Sequence, residues 1–273
     1  MEVEKESLIL VENTEIESLH LERTVKVDFY LPVNVSAPEK MSLLLINDGQ
    51  DMERMGFERL LNKLYDQQVI NPVLCVGLHA GTERKMEYGT ASRADFKGRG
   101  ARAGNYSQFI MEELLPLVQS IYHLPITKEK AFAGFSLGAL SALDIVWNHP
   151  REFSTVAVFS GSLWWRSKDQ YDAGYDDQRD RIMHQMIKNA STRPALKFFF
   201  ESGQLDEQKD RNKNGVIDSI DDTLDLINEL KAKGYNDNDI KFLLLEDGKH
   251  DVETWGKAMP YFLKWAFGKQ SKV

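Results

Sequence analysis

Residues 130–148 read Lys-Ala-Phe-Ala-Gly-Phe-Ser-Leu-Gly-Ala-Leu-Ser-Ala-Leu-Asp-Ile-Val-Trp-Asn, and this stretch decides the fold. Lys130–Ala133 is a short run of strand type. Leu137–Asn148 repeats apolar residues at helical spacing and stops before Pro150. Between them lies Gly134-Phe135-Ser136-Leu137-Gly138, which fits G-x-S-x-G directly between a strand and a helix. A serine in such a turn takes a strained backbone conformation. The residues two before and two after it must then be tiny, because a Cβ would clash across the turn. The helix that follows aims its first N–H groups at the serine. The plainer alternative is a glycine-lined turn with a serine helix cap.

Outward from this unit, strands and helices alternate. Leu19–Leu31 reads as strand and ends in Pro32; Met41–Asn47 is a continuous apolar run bounded by Asn47-Asp48-Gly49. Phe57–Gln67 has helical spacing, and Pro72–Leu78 is another buried-strand run. Gly81–Gly104 is polar and reads as a long surface loop, followed by an amphipathic helix over Tyr106–Tyr122. Thr155–Phe159, Leu196–Glu201 and Ile240–Leu245 read as strands, with helices over Asp177–Asn189, Thr223–Lys233 and Thr254–Phe267. Solid apolar strands alternating with helices predict one α/β domain over residues 1–273. Its central sheet is mostly parallel, with helices on both faces.

Composition narrows the function classes. The 34 Lys and Arg against 42 Asp and Glu leave a net charge of −8, without a basic block, which argues against nucleic acid as a partner. No run approaches the roughly 18–20 apolar residues of a membrane span. The first residues, Met-Glu-Val-Glu-Lys, are acidic and lack the basic and apolar regions of a signal peptide. Cys75 is the single cysteine, so neither an intrachain disulfide nor a cysteine zinc site is available, and a reducing, cytoplasmic setting is the expectation.

Ser136 needs a base and an orienting acid to become a nucleophile. Only His149, His184 and His250 follow it. His149 sits in Asn-His-Pro at a helix end, where capping explains it, and His184 reads as a solvated side chain on a polar helix. His250 follows the strand Ile240–Leu245 and is the expected base, because ligand chemistry in open α/β sheets collects at the carboxyl ends of strands. The acid should follow Leu196–Glu201. Asp206 is the better candidate and the adjacent Glu207 the alternative, since spacing alone does not separate them. The Leu137 amide is the expected first oxyanion donor, and the loop Asp48-Gly49-Gln50-Asp51 offers the second, assigned to Gln50.

With these residues in place, the chain from about Leu19 to Phe267 resembles the esterase family of α/β hydrolases, related to esterase D and in particular to its enterochelin-esterase-type members. The matching stretches are Asp48 to Asp51, Arg84 with Glu87-Tyr88-Gly89, Glu113 to Pro116, and Gly134 to Gly138. Further on they are His149-Pro150, Gly161 to Trp165, and Gly248-Lys249-His250 with Trp255. The resemblance implies an α/β-hydrolase fold and a serine carboxylic-ester hydrolase acting on a small-molecule ester, with no cofactor for the chemistry. Relatives cleave siderophore lactones, sugar-linked acetyl or feruloyl esters and S-formylglutathione, and some transfer acyl groups instead. Asn-Asp-Gly stands here where many relatives carry His-Gly. A catalytically silent binding module of the same fold is the rival reading; the joint presence of Ser136, Gly138 and His250 argues against it.

Two further features remain. Arg84, Glu87, Trp164 and Trp165 are candidate substrate-binding residues: paired indoles could wall a pocket, although either could be core, and Arg84 and Glu87 could pair with each other. Arg84, Arg93, Lys97, Arg99 and Arg102 would put positive charge on one loop. Asp210, Asn212, Asn214, Val216, Asp218 and Asp221 fit the spacing of a calcium loop, with Gly215 at the turn and Asp where Glu is usual at the last position. A structural Ca²⁺ is the expectation there, against an Asn-Gly turn leading into an acidic helix start.

Overall fold

The computed structural model describes residues 7–33, 35, 41–122 and 129–269. The reading of the first residues as free of a signal sequence lies in part outside them. Eight strands form one sheet in the order β1-β2-β4-β3-β5-β6-β7-β8. They are β1 (Ile9–Ser18), β2 (Arg23–Pro32), β3 (Ser42–Asn47), β4 (Val73–Leu78), β5 (Lys130–Phe135), β6 (Thr155–Phe159), β7 (Lys197–Leu205) and β8 (Ile240–Lys249). β1 and β2 are antiparallel to their neighbours, and every pairing from β4 to β8 is parallel.

The helices are α1 (Phe57–Asp66), α2 (103–122, with a π-helical turn at Phe109–Leu114), α3 (Leu137–Asn148), α4 (Ile182–Asn189), α5 (Asp218–Ala232) and α6 (Val252–Phe267). They cover both faces. Successive strand residues point to opposite sides, so Leu43 and Leu45 of β3 pack with α2, α3 and α5, while Leu44 and Ile46 pack with α1 and α6. That explains why the strand is apolar without alternation.

Several boundaries differ from expectation. The polar strand β1 is absent from the sequence reading: its glutamates lie on an exposed edge, where no apolar signal is required. β2 begins at Arg23, because residues 19–22 turn the hairpin with Glu22 at φ 55°. The helix read over Asp177–Asn189 is broken at Arg181, whose extended backbone lets its buried side chain reach Asp222 and Asp225, both at 2.7 Å. His184 is buried rather than solvated, with Nε2 2.8 Å from the Asp222 carbonyl. The stretch 81–104 is not merely a surface loop. It contains a helical turn at Arg84–Glu87 and buries Tyr88, Thr90 and Asp95. Gly89 N–H donates to Ser141 Oγ (2.8 Å) and Ala91 N–H to Asp144 (2.9 Å), which fastens the loop to α3.

Candidate active site

β5 delivers Ser136 at the carboxyl edge of the sheet with φ 54° and ψ −118°, a conformation an L-residue adopts only under constraint. The constraint is visible. Ser136 N–H donates to the Phe159 carbonyl at 2.9 Å, and its own carbonyl accepts from Ser162 N–H at 3.0 Å. A Cβ on Gly134 would stand 2.3 Å from the Gly138 oxygen, and one on Gly138 would stand 2.5 Å from Asp48 Oδ2. Ser136 Oγ lies 3.5 Å from Ser162 Oγ.

The loop after β3 packs directly against this turn. Asn47 Nδ2 donates to the Gly138 carbonyl at 2.7 Å, and the Tyr106 hydroxyl donates to Asn47 Oδ1. Asp48 adopts a left-handed backbone (φ 61°), turning the chain into the short helix Gly49–Asp51. Its buried carboxylate receives Arg84 Nε at 2.6 Å and Nη2 at 2.8 Å. The Gln50 side chain is occupied, giving Nε2 to Asp48 (3.2 Å) and accepting from Ala80 N–H (3.0 Å). The backbone N–H groups of Gln50 and Leu137 make no hydrogen bond among the described residues. The Leu137 amide, next to Ser136 in the chain, is thus free to act as an oxyanion donor, and the Gln50 amide on the adjoining loop is likewise unspent.

His250 follows β8 and meets the Trp255 ring edge-on at 5.4 Å. Burial pushes its pKa down and the Arg84 charge adds to that, while Asp206 pulls it up. Asp206 sits beyond β7, just after a register shift between Gly203 and Leu205. Burial raises its pKa against the opposing effects of Ser160 and His250. Glu207, also raised by burial, instead lines a cavity of about 250 Å³ with Trp164, Arg99 and Lys209.

The candidate substrate residues part company. Arg84 does not pair with Glu87: it holds Asp48, and Glu87 is fully buried in a bidentate pair with Arg23 at 2.7 and 2.8 Å. Trp165 is 0% exposed and belongs to the core, whereas Trp164 is half-exposed beneath the Arg99 guanidinium at 4.7 Å. Glu87 and Trp165 therefore present no surface to a ligand. The loop cations are largely spent internally, Arg99 on Asp95 and Arg102 on the Leu21 carbonyl.

In the 210–221 loop the Asp210 carboxylate accepts from Asn214 N–H (3.1 Å) and Gly215 N–H (2.9 Å). The Asn212 and Asn214 side chains reach Asp221 Oδ2 at 2.7 and 2.8 Å, and Asn214 Oδ1 accepts from Val216 N–H at 2.8 Å. Asn212 and Asn214 thus turn their amide nitrogens to Asp221, while their oxygens accept from backbone N–H groups of the loop. Asp218 Oδ1 accepts from Arg211 N–H at 2.8 Å. Among the described residues no group of three or more His, Cys, Asp or Glu is placed to hold a metal ion.

Sequence reasoning passed over Asn47, Asp48, Tyr106, Ser160 and Glu201. Glu201 carried a legible signal, a single acid ending the run Phe198-Phe199-Phe200 in a strand read as buried. Asp48 was read only as part of a turn.

Comparison with known proteins agrees with this fold. The family model described as “Putative esterase” matches residues 18–266. The protein YjcH of Bacillus subtilis (strain 168) is 21% identical over 228 residues, 83% of this chain and 84% of that one. The enterobactin esterase FES from Shigella flexneri superposes with a TM-score of 0.73 at 22% identity, covering 94% of this chain. A ferulic acid esterase gives 0.70 at 18%, covering 94% of this chain and 97% of that one. The chain spans 58% of the length of the enterobactin esterase. At these identities the structural likeness speaks for the fold. No helix among the described residues is long and apolar enough to cross a membrane.

Proposed function

The chain belongs to this esterase family, and from that premise we propose that it is a serine carboxylic-ester hydrolase working through Ser136, His250 and Asp206. Ser136 Oγ attacks the ester carbonyl carbon while His250 takes the hydroxyl proton. The carbonyl π electrons move onto oxygen, where the Leu137 and Gln50 amides receive the charge. Collapse of this intermediate breaks the C–O bond, and the alcohol leaves with the proton from His250. Water, deprotonated by the same imidazole, then releases the acid from the acyl-enzyme. Asp206 orients the ring and stabilises its cation.

The single observation that carries this reading is the strained Ser136 backbone at a strand's carboxyl end, followed by a Leu137 amide without a partner among the described residues. Among the described residues Ser136 Oγ contacts Ser162 Oγ at 3.5 Å and makes no hydrogen bond to His250; catalytic hydrogen bonds often tighten only in the substrate complex. A small-molecule ester of siderophore or sugar-linked type is the proposed substrate class, by analogy with the named neighbours. A structural Ca²⁺ in the 210–221 loop is proposed separately, supported by the spacing of Asp210, Asn212, Asn214, Asp218 and Asp221. The test is hydrolysis of p-nitrophenyl acetate together with fluorophosphonate labelling. Both should be lost in a folded Ser136→Ala protein, and retained hydrolysis would overturn the assignment.

A further inference from the structure

Beneath the acid of the site lies a second carboxyl group with no assigned task. Glu201 is 0% exposed, at the middle of β7. Its backbone is paired on both sides, with Phe159 in β6 and Leu243 in β8. Its Oε2 accepts from Ser160 Oγ at 3.4 Å, and Ser160 Oγ in turn accepts from Trp255 Nε1 at 3.0 Å. Among the described residues the other oxygen, Oε1, has no hydrogen-bond partner, and the Ser160 hydroxyl that serves Glu201 also acts on Asp206. Two carboxyl groups thus share the single proton of one hydroxyl, where buried polar groups are almost always satisfied.

The two side chains share one place. Residues two apart in a strand face the same side, so Glu201 points to the side on which a Cβ of Gly203 would project. Asp206 folds back over that position: its Oδ1 lies 2.7 Å from where the Gly203 Cβ would stand. Two buried carboxylates side by side cannot both ionise without a large penalty. One proton between them removes the repulsion and supplies the missing donor.

We propose that Glu201 is the protonated member of this pair and a positioning residue for the reaction proposed above, its carboxyl O–H donating to Asp206 and holding that carboxylate against His250. Asp206 keeps the negative charge because the His250 charge stabilises it. Burial and the Asp206 charge together push the Glu201 pKa up to about 8. The remaining neighbours are Ser160 from β6, Trp255 from α6, and, beyond Asp206, His250 and Asp251; Arg84 acts on His250.

The sign follows from these groups. As pH rises through the Glu201 pKa, Asp206 loses its donor and gains a like charge, so kcat/KM should fall on the alkaline side. Glu201→Gln is isosteric, keeps an N–H donor and cannot ionise. It should retain wild-type kcat near neutrality within about threefold and lose the alkaline fall. Glu201→Ala should lower kcat about tenfold or more with little change in KM. Infrared difference spectra between about pH 6 and about pH 10 should show a protonated buried carboxyl in the wild type that is missing in Glu201→Gln. That reading is independent of turnover, and therefore of whether Ser136 is the nucleophile. An unaltered alkaline limb in Glu201→Gln, a wild-type infrared spectrum without that band, or a Glu201→Gln enzyme as impaired as Glu201→Ala would each overturn the proposal.

Discussion

Replacing Gly134 by alanine would insert one methyl group where the turn around Ser136 has no room. The new Cβ would stand 2.3 Å from the Gly138 oxygen, 2.4 Å from its carbonyl carbon and 2.7 Å from Ala139 N. All three are backbone atoms in the first turn of α3, and the Gly138 oxygen is gripped by Asn47 at 2.7 Å. They cannot rotate aside as a side chain could. Restoring van der Waals contact means parting β5 and α3 by roughly 1 Å. Overpacking costs about 1–3 kcal/mol, and clashes confined to backbone place this one near about 3 kcal/mol. For a chain of this size that lowers Tm by about 6–12 °C. The displaced segment carries Ser136 and the Leu137 amide, and an ångström of misplacement is worth about a hundredfold in rate. Thermal denaturation and steady-state hydrolysis of p-nitrophenyl acetate measure both effects. Gly104→Ala in α2, where a Cβ meets nothing within 4 Å, is the control and should leave both readings near wild type. Gly138→Ala should separate them. Its Cβ meets the Asp48 carboxylate at 2.5 Å, a side chain that can yield only by loosening from Arg84, so activity should suffer more than Tm. A Gly134→Ala protein with wild-type Tm and kcat would refute the packing argument.

The remaining expectations are more compact. Asp206→Asn should lower kcat by about 10⁴-fold by leaving His250 in the wrong tautomer, while Glu207→Gln should change it by less than about threefold; steady-state kinetics with the reverse ranking would move the acid to Glu207. In the proposed mechanism the base form of His250 is the active one, so kcat/KM should fall as pH drops through its pKa, which burial and Arg84 hold down against Asp206. Arg84→Gln should move that acid limb to higher pH, and a limb that stays put would remove Arg84 from the electrostatics of the site. Ca²⁺ added to EGTA-treated protein should raise Tm, by about 2.7 kcal/mol of stability at a hundredfold excess over Kd. An unchanged melting curve would leave the 210–221 loop closed by its own hydrogen bonds alone.

The features legible in the sequence are those whose cause is local. Leu43 to Ile46 and Phe198 to Phe200 advertise burial on both faces, and Gly134 and Gly138 advertise the close approach of a strand to its helix. What escaped depends on partners far apart in the chain. Arg84 and Glu87 stand three residues apart and invite pairing, yet Arg84 reaches back to Asp48 and Glu87 to Arg23, because the helical turn 84–87 lies between the ends of β3 and β2. Trp164 and Trp165 are chemically identical and adjacent, and only the loop 81–104 decides between them. Gly89 and Gly100 both press on the Trp165 ring, so that indole is enclosed while its neighbour is left half-exposed. β1 lacks an apolar signature because an edge strand needs ladder partners rather than a core.

The site is braced unequally, and the inequality locates its adjustable part. Around Ser136, the Asn47 amide, the Tyr106 hydroxyl and the buried Asp48–Arg84 pair tie nucleophile and oxyanion loop into one unit at the middle of the sheet. A site built on strands and locked by surrounding hydrogen bonds holds its geometry better than one built on loops. Asp206 lies on the other kind of support. It follows a register shift beside the edge strand β8, and its segment continues into the 207–217 loop. That loop is anchored chiefly through Arg211, which reaches Asp177 at 2.8 Å and Asp222 at 2.6 Å. Changes in the loop can therefore reach His250 through Asp206 while leaving Ser136 untouched. The proposed contact from Glu201, fixed on β7 rather than on the loop, would add to the Asp206 N–H bond to the Gly203 carbonyl (3.3 Å) in tying the acid to the rigid sheet. A mobile carboxylate orients an imidazole poorly, so a buried donor beneath it has a mechanical reason as well as an electrostatic one.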